Sequence, residues 1–313
     1  MKKNKLKNIL IILIGIVIVC VFIFFIIPTR ETFVNIPVGS NPKQVAKMLK
    51  SEKLILNEDI FLTLVWLTKT EKKFKPGMYK LDNRMFDAGI LSNIVKGNTY
   101  KIKVTIPEGF NSAEIAQLLE KKGICNGEKF LEITRKEKME GYLFPETYYL
   151  NPNSSAEEVA RILNNQYKKI FDADFLKRVK ELKMSEEKII ILASIIEKEA
   201  KKNKERPLIS SVFHNRIKKG WNLESCATVI YALGKHKDFL TYKDIKIKSP
   251  YNTYIHSGFP PGPICNPGLA SIKAALYPAV TKDMFFVADG SGTHKFSKYV
   301  EEHNKKKKEK VRG

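Results

Sequence analysis

Apolar positions fall into different rhythms along this chain. Ile9 to Ile27 is an unbroken apolar run between a basic start, MKKNKLKN, and Pro28-Thr29-Arg30. At 1.5 Å rise per residue such a run spans a bilayer core of about 30 Å. It outlasts the roughly 7–15-residue apolar region of a secretory signal, and it lacks a small-residue cleavage site. The pattern predicts an uncleaved transmembrane helix at 9–27 behind a cytoplasmic tail at 1–8. Lys2, Lys3, Lys5 and Lys7 then place residues 31–313 on the outer (periplasmic or extracellular) side of the inner or plasma membrane.

Next the pattern repeats. Val34-Asn-Ile-Pro-Val-Gly-Ser-Asn41 returns as Val104-Thr-Ile-Pro-Glu-Gly-Phe-Asn111, and Pro76-Gly-Met-Tyr-Lys-Leu81 as Pro145-Glu-Thr-Tyr-Tyr-Leu150. Alternation in the first segment puts Val34 and Ile36 on one face of a strand. Spacings such as Val45, Met48, Leu49 and Ile115, Leu118, Leu119 mark helices. Each copy reads as strand, glycine turn, helix, break, helix, strand. The boundaries are 31–100 and 101–155, with the second copy packing on the domain C-terminal to it. Two copies suggest a paired binding scaffold, or a duplication without a ligand.

Residues 156–304 then read as an α+β domain, opening with an amphipathic helix at Ala156–Tyr167. Met184–Lys202 predicts a helix of another kind. Ser185 suits its N-cap and Glu186 and Glu187 its first turn, while Ile189–Ile196 is apolar except for Ser194. A helix apolar nearly all round is a buried one, yet this one ends in Glu197 and Glu199. Helical pattern resumes at Ser210–Ile217, a short helix comes after Leu223, and Leu269–Leu276 is helical. Gly258–Gly268, dense in proline and glycine, reads as an ordered loop. Met284–Asp289 and His294–Phe296 form a hairpin across Gly290-Ser-Gly292.

Charge adds one point. The net charge is +22, which fits an anionic partner such as anionic lipid or wall polymer, or else drift toward lysine along the chain. Its one concentrated block is the tail, 305–313, of a kind usually solvated and disordered. On an outer surface, nucleic acid is not an expected partner. Of the four cysteines, Cys20 lies in the apolar run. Cys226 and Cys265 would pair in an oxidising compartment; free buried thiols are the alternative. No zinc spacing occurs.

Elimination narrows the chemistry. His294 lies near Asp289 and Ser291, but Asp-Gly-Ser-Gly is first a turn, and no nucleophile elbow exists. No HxH, HExxH or phosphate-cradling loop is present, so no metal or cofactor is expected. The two glutamates remain, and a carboxylic acid can cleave a glycosidic bond by general acid catalysis. Counting three, four and seven residues back from Glu199 reaches Ile196, Ile195 and Leu192, the bulkier apolar stripe. Desolvation there would keep Glu199 protonated. Glu197, the second choice, could instead pair with Lys201. Sugar recognition wants aromatic faces, amides and guanidinium, types supplied by Asn215, Arg216, Tyr231, Tyr251, Asn252 and Tyr254, though aromatics are more often core.

Taken in order, LASIIEKEA, VFHNRIKKG, LESCATVIYALG, SPYNTY, GFPPGPICNPG and FFVADGSGTH resemble the endolytic murein transglycosylase (YceG-like) family. The resemblance implies a membrane-anchored enzyme that cuts nascent peptidoglycan glycan strands and leaves 1,6-anhydromuramyl ends. It also implies LysM-like repeats, and work beside the penicillin-binding synthases. It places the essential acid within Glu197-Lys198-Glu199. Where many members read Ser-Asp-Pro-Thr-Val, this chain has Ser225-Cys-Ala-Thr-Val229, so no aspartate role carries over. A non-catalytic wall-binding scaffold is the rival reading.

Overall fold

The computed structural model describes Gly15 and residues 30–312, apart from His236 and Asp238. The chain is α+β, with three separate two-stranded antiparallel sheets among the described residues. It divides into two compact units, one up to Lys101 and one from Ile102 onward.

In the first unit β1 (Glu31–Ile36) leads to α1 (Pro42–Ser51), α2 (Glu58–Leu67), β2 (Gly77–Asp82) and α3 (Asp87–Lys96). β1 pairs with β2 so that Val34 faces Tyr79. Val34 and Ile36 point inward as the alternation requires, onto Val45, Leu49, Phe61, Ile90 and Ile94. Asn41 starts α1 by accepting from the Gln44 amide while its own amide donates to the Gln44 side chain.

The second unit begins with β3 (Ile102–Thr105), α4 (Ser112–Lys121), α5 (Gly127–Lys136) and β4 (Thr147–Leu150). It continues with α6 (Ala156–Ile170), α7 (Ala173–Glu181), α8 (Glu186–Glu199), α9 (Arg206–Lys218), α10 (Cys226–Leu233) and α11 (Leu269–Leu276). The hairpin β5 (Phe285–Ala288) and β6 (His294–Ser297) comes next, then α12 (Val300–Arg312). The basic tail expected to be disordered is thus helical as far as Arg312.

Two expectations are corrected here. The first is the pair of LysM-like repeats. A two-stranded sheet is marginal by itself and needs further elements packed on it, and the two stretches meet that need differently. The first closes over itself with α3 and stands as its own unit. The second is completed by Ala156, Val159, Ala160 and Leu163 of α6, beyond residue 155, and shares one unit with everything downstream. Equal, separable modules are not resolved.

The second is the membrane topology. The span expected at 9–27 lies outside the described residues, and among the described residues no helix is long and apolar enough to cross a membrane. The apolar α8 is 14 residues long, only about 20 Å, well short of a bilayer core. The single-pass anchor, the membrane as a partner and the outer-side placement of residues 31–313 all rested on that span. The structure does not support them.

α8 is the centre of the second unit. Ile189–Ile196 are buried without a break, packed against Phe213 of α9, Ile272 and Leu276 of α11, and Ile264 of the proline-rich loop. That loop is ordered by a lock on Asn266. Its backbone N–H and its side-chain amide both donate to Phe110 O, its carbonyl accepts from Gly109, and its side-chain oxygen accepts from Leu143.

Candidate active site

α8 ends three residues past Ile196, the last of its buried apolar run. Ala200 turns extended (φ −88°, ψ 116°), which leaves Glu199 as the last helical residue rather than Lys202. Pro207, at the first turn of α9, belongs to a new helix, so the intervening lysines form a short connection. Glu199 keeps a partly exposed edge on an otherwise buried helix.

Opposite it lies the start of α10. Glu224 takes a left-handed backbone (φ 50°), and the chain then enters the helix at Ser225, its N-cap residue. Ser225 does not cap α10 with its own side chain. Its hydroxyl donates instead to Glu199 Oε1 at 2.5 Å, and the Ala227 N–H also bonds the Glu199 carboxyl. Glu199 therefore fills the anionic position at a helix N-terminus. Ser225 is held rigidly from behind. Its N–H donates to Thr253 Oγ1 (3.0 Å), its carbonyl accepts from Thr228 Oγ1 (2.8 Å), and the two threonine hydroxyls bond each other (2.9 Å). All three residues are buried.

Desolvation is the strongest influence on Glu199 and pushes its pKa up. The Ser225 and Ala227 hydrogen bonds, His294 and Arg216 pull against it without reversing it. The site thus favours the neutral acid while holding donors that stabilise the carboxylate.

Glu197 is arranged differently. Its Oε1 accepts from Arg206 Nη2 at 2.8 Å and its Oε2 from the Gly268 N–H at 2.9 Å. The side chains of Arg206 and Glu197 are only 7% and 6% exposed. Arg206 also donates to Ser271 Oγ at 2.8 Å and to Asn203 Oδ1. The expected Lys201 partner is replaced by an arginine from the next helix. Both oxygens of Glu197 are spent on holding α9 and the proline-rich loop to α8.

Of the expected sugar-binding residues, three serve the backbone. Asn215 donates to Thr281 O and Asp283 O. Arg216, buried, donates to Met284 O (2.8 Å), Leu223 O (2.9 Å) and Glu224 Oε2 (3.0 Å), with its guanidinium over Phe285. Asn252 donates to Ile245 O and Ile247 O. The tyrosines are the half-buried ones. Tyr231 and Tyr251 sit against each other with ring centroids 4.9 Å apart. Tyr254 lies close enough to Glu199 to feel its charge.

The structure has Cys226 and Cys265 as separate thiols, the first exposed and the second buried, the alternative to a cross-link between them. Cys226 Sγ contacts Tyr254 OH at 3.1 Å, while buried Cys265 donates to Ser194 O. Asp289 accepts from Ser291 N–H and Oγ and from Thr293, as a turn residue does. The His294 ring faces Glu205 at 3.2 Å and not Ser291, so these residues form no triad. Ser225, Thr228, Thr253, Arg206 and His294 acquire their places near the glutamates only through the fold.

The model of the YceG-like family matches residues 34–309. The chain belongs to the YceG-like family. The endolytic murein transglycosylase of Bacillus subtilis (strain 168) is 36% identical over 301 residues, covering 88% of this chain and 83% of that protein. That of Streptococcus pneumoniae D39 is 27% identical and covers 82% of this chain, which spans 54% of the pneumococcal protein's length. A crystallised yceG-like protein of Listeria monocytogenes is 34% identical, with a TM-score of 0.59 over 89% of this chain and 99% of that one.

Proposed function

We propose that this YceG-like chain is an endolytic peptidoglycan lytic transglycosylase with Glu199 as its single acid/base. Family membership supports a lytic-transglycosylase type of activity. What carries the finer reading is the double provision at Glu199: burial favours its protonated form, while Ser225 and the α10 N-terminus stabilise its ionised form. A group that must give a proton and then take one back needs both.

The reaction balances on that one carboxyl. Protonated Glu199 gives its proton to the glycosidic oxygen as the bond from that oxygen to the muramyl anomeric carbon breaks, the bonding pair leaving with the oxygen. The carboxylate, held by Ser225 Oγ and Ala227 N–H, then takes the proton of the muramyl 6-hydroxyl as that oxygen bonds the anomeric carbon. A 1,6-anhydro end forms and Glu199 is protonated again, with no metal or cofactor. Glu197 has a positioning role, through Arg206 and Gly268.

The test is to incubate the full chain with uncrosslinked glycan strands and identify the new ends by mass spectrometry. Anhydromuramyl ends within shortened strands are expected. Reducing ends would replace this reading with hydrolysis, and uncut strands would replace it with a wall-binding scaffold.

A further inference from the structure

The other end of α10 carries a feature that the reaction at Glu199 does not use. A cavity of about 820 Å³ opens there, lined by Leu233 at the helix end and by Lys237, Thr241, Tyr242, Lys243, Asp244, Lys246 and Ile247. That volume lies within the ordinary range of ligand sites. Its lining joins the aliphatic residues Leu233 and Ile247 to Tyr242, Lys243 and Lys246. Asp244 is the acid of this wall, and it is fully engaged. Lys237 Nζ lies 2.7 Å from each of its oxygens, and Thr241 donates from both N–H and Oγ1. Lys243 and Lys246 are exposed, and neither forms an ion pair among the described residues. The cavity therefore presents two uncompensated cations beside apolar surface, which complements a short aliphatic chain carrying carboxylates.

Placement narrows the ligand. Ala227, at the first turn of α10, bonds Glu199, and Leu233 closes the same helix at the cavity. The two ends stand about 10 Å apart along the axis. Tyr231 belongs to that helix, and its ring is paired with that of Tyr251. A glycan strand seated at Glu199 and running along α10 would bring the substituent of a neighbouring sugar to the cavity. In peptidoglycan that substituent is the stem peptide, a mostly aliphatic chain with free carboxylates.

We infer that the cavity walled by Tyr242, Lys243 and Lys246 binds the stem peptide of a sugar next to the one being cut. This rests on the transglycosylase reading above, and the site would make the enzyme prefer peptide-bearing strands over strands stripped of peptide.

Two measurements test it on the full chain. In the first, kcat/KM is compared on peptide-bearing and amidase-stripped strands. The Lys243→Gln/Lys246→Gln variant should lose about tenfold of the wild-type preference for peptide-bearing strands at an unchanged melting temperature, and Lys243→Arg/Lys246→Arg should keep it. An unchanged preference in the Gln variant overturns the inference. In the second, an isolated stem peptide is titrated onto the chain without any cleavage step. Wild type should bind it about tenfold more tightly than the Gln variant, and more tightly than the same peptide with amidated carboxylates. Equal binding of all of these overturns the inference. If wild type cuts neither strand, the transglycosylase reading fails while the titration still decides the fate of the cavity.

Discussion

Glu197 and Glu199 sit two residues apart, and single substitutions should separate them cleanly. Glu199→Gln removes the transferable proton but keeps shape and an acceptor for Ser225 Oγ. Loss of a positioned general acid costs about 10²–10⁴ in rate, or roughly 3–5 kcal/mol of barrier at 1.36 kcal/mol per tenfold. The fold should be unaffected. Glu197→Gln keeps an acceptor for the Gly268 N–H but leaves the Arg206 guanidinium without its anion at a side chain only 7% exposed. Breaking one partner of a buried pair costs about 3–5 kcal/mol. Arg206 retains Ser271 and Asn203, which points to the lower end. For a unit running from residue 102 to 313 that is a fall of roughly 6–12 °C in melting temperature. The assays are thermal unfolding and the initial rate of anhydro-end formation, measured well below both melting points. The assignment is refuted if Glu199→Gln keeps more than about a tenth of the wild-type rate. It is equally refuted if Glu197→Gln melts like wild type yet is dead, since Glu197 would then be the acid.

Three further outcomes are expected. Ser225→Ala removes a hydrogen bond that lowers the Glu199 pKa, so that pKa rises further; the alkaline limb of the pH–rate profile should move to higher pH, with the optimal rate down about tenfold for one lost charge-assisted bond. Gly268→Ala would place a methyl 1.9 Å from Glu108 Oε1 and 2.1 Å from its Cδ. The crowding should cost about 1–3 kcal/mol, read as a lower denaturation midpoint at unchanged slope. Glu140, which accepts from Ser112 N–H and from the Asn266 side chain, is raised by burial from 4.5 to about 7, with Glu114 adding to the rise. A raised carboxyl supports the fold fully below its unfolded value and loses that support as pH climbs through 7, up to about 3 kcal/mol. Glu140→Gln should therefore match wild type near pH 4 and exceed it at pH 8; equal stabilities at pH 8 would dismiss the shift.

How much of this was legible before folding differs from element to element. α8 was, because its cap and its run of isoleucines are local facts. The preference for Glu199 came from helical phase, since residues three, four and seven back share a face. The partner of Glu197 was not legible: i+4 spacing pointed to Lys201, but the helix stops at Glu199 and Arg206 arrives from the next one. Asn215, Arg216 and Asn252 have the donors that sugars use, yet residue type does not say what a donor will meet. Here it meets backbone carbonyls that turns leave unpaired, a need that exists only once the chain is compact. Ser225 escaped notice because its value depends on a carboxylate far away in the chain.

The lock on Asn266 decides how much of the chain must travel together. A fragment starting at residue 156 would keep Glu199, α10 and every motif around them, and on motif content it would pass for a complete catalytic domain. It would lose the backbone of Gly109 and Phe110, the N–H of Leu143 and the Glu140 carboxylate, each of which holds Asn266. Gly268, two residues on, sets the Glu197 carboxylate from the same loop. A recombination or gene fusion that splits the chain between β4 and α6 would therefore pass on Glu199 and the proline-rich loop without Gly109, Phe110, Glu140 and Leu143, the residues that hold the loop in place.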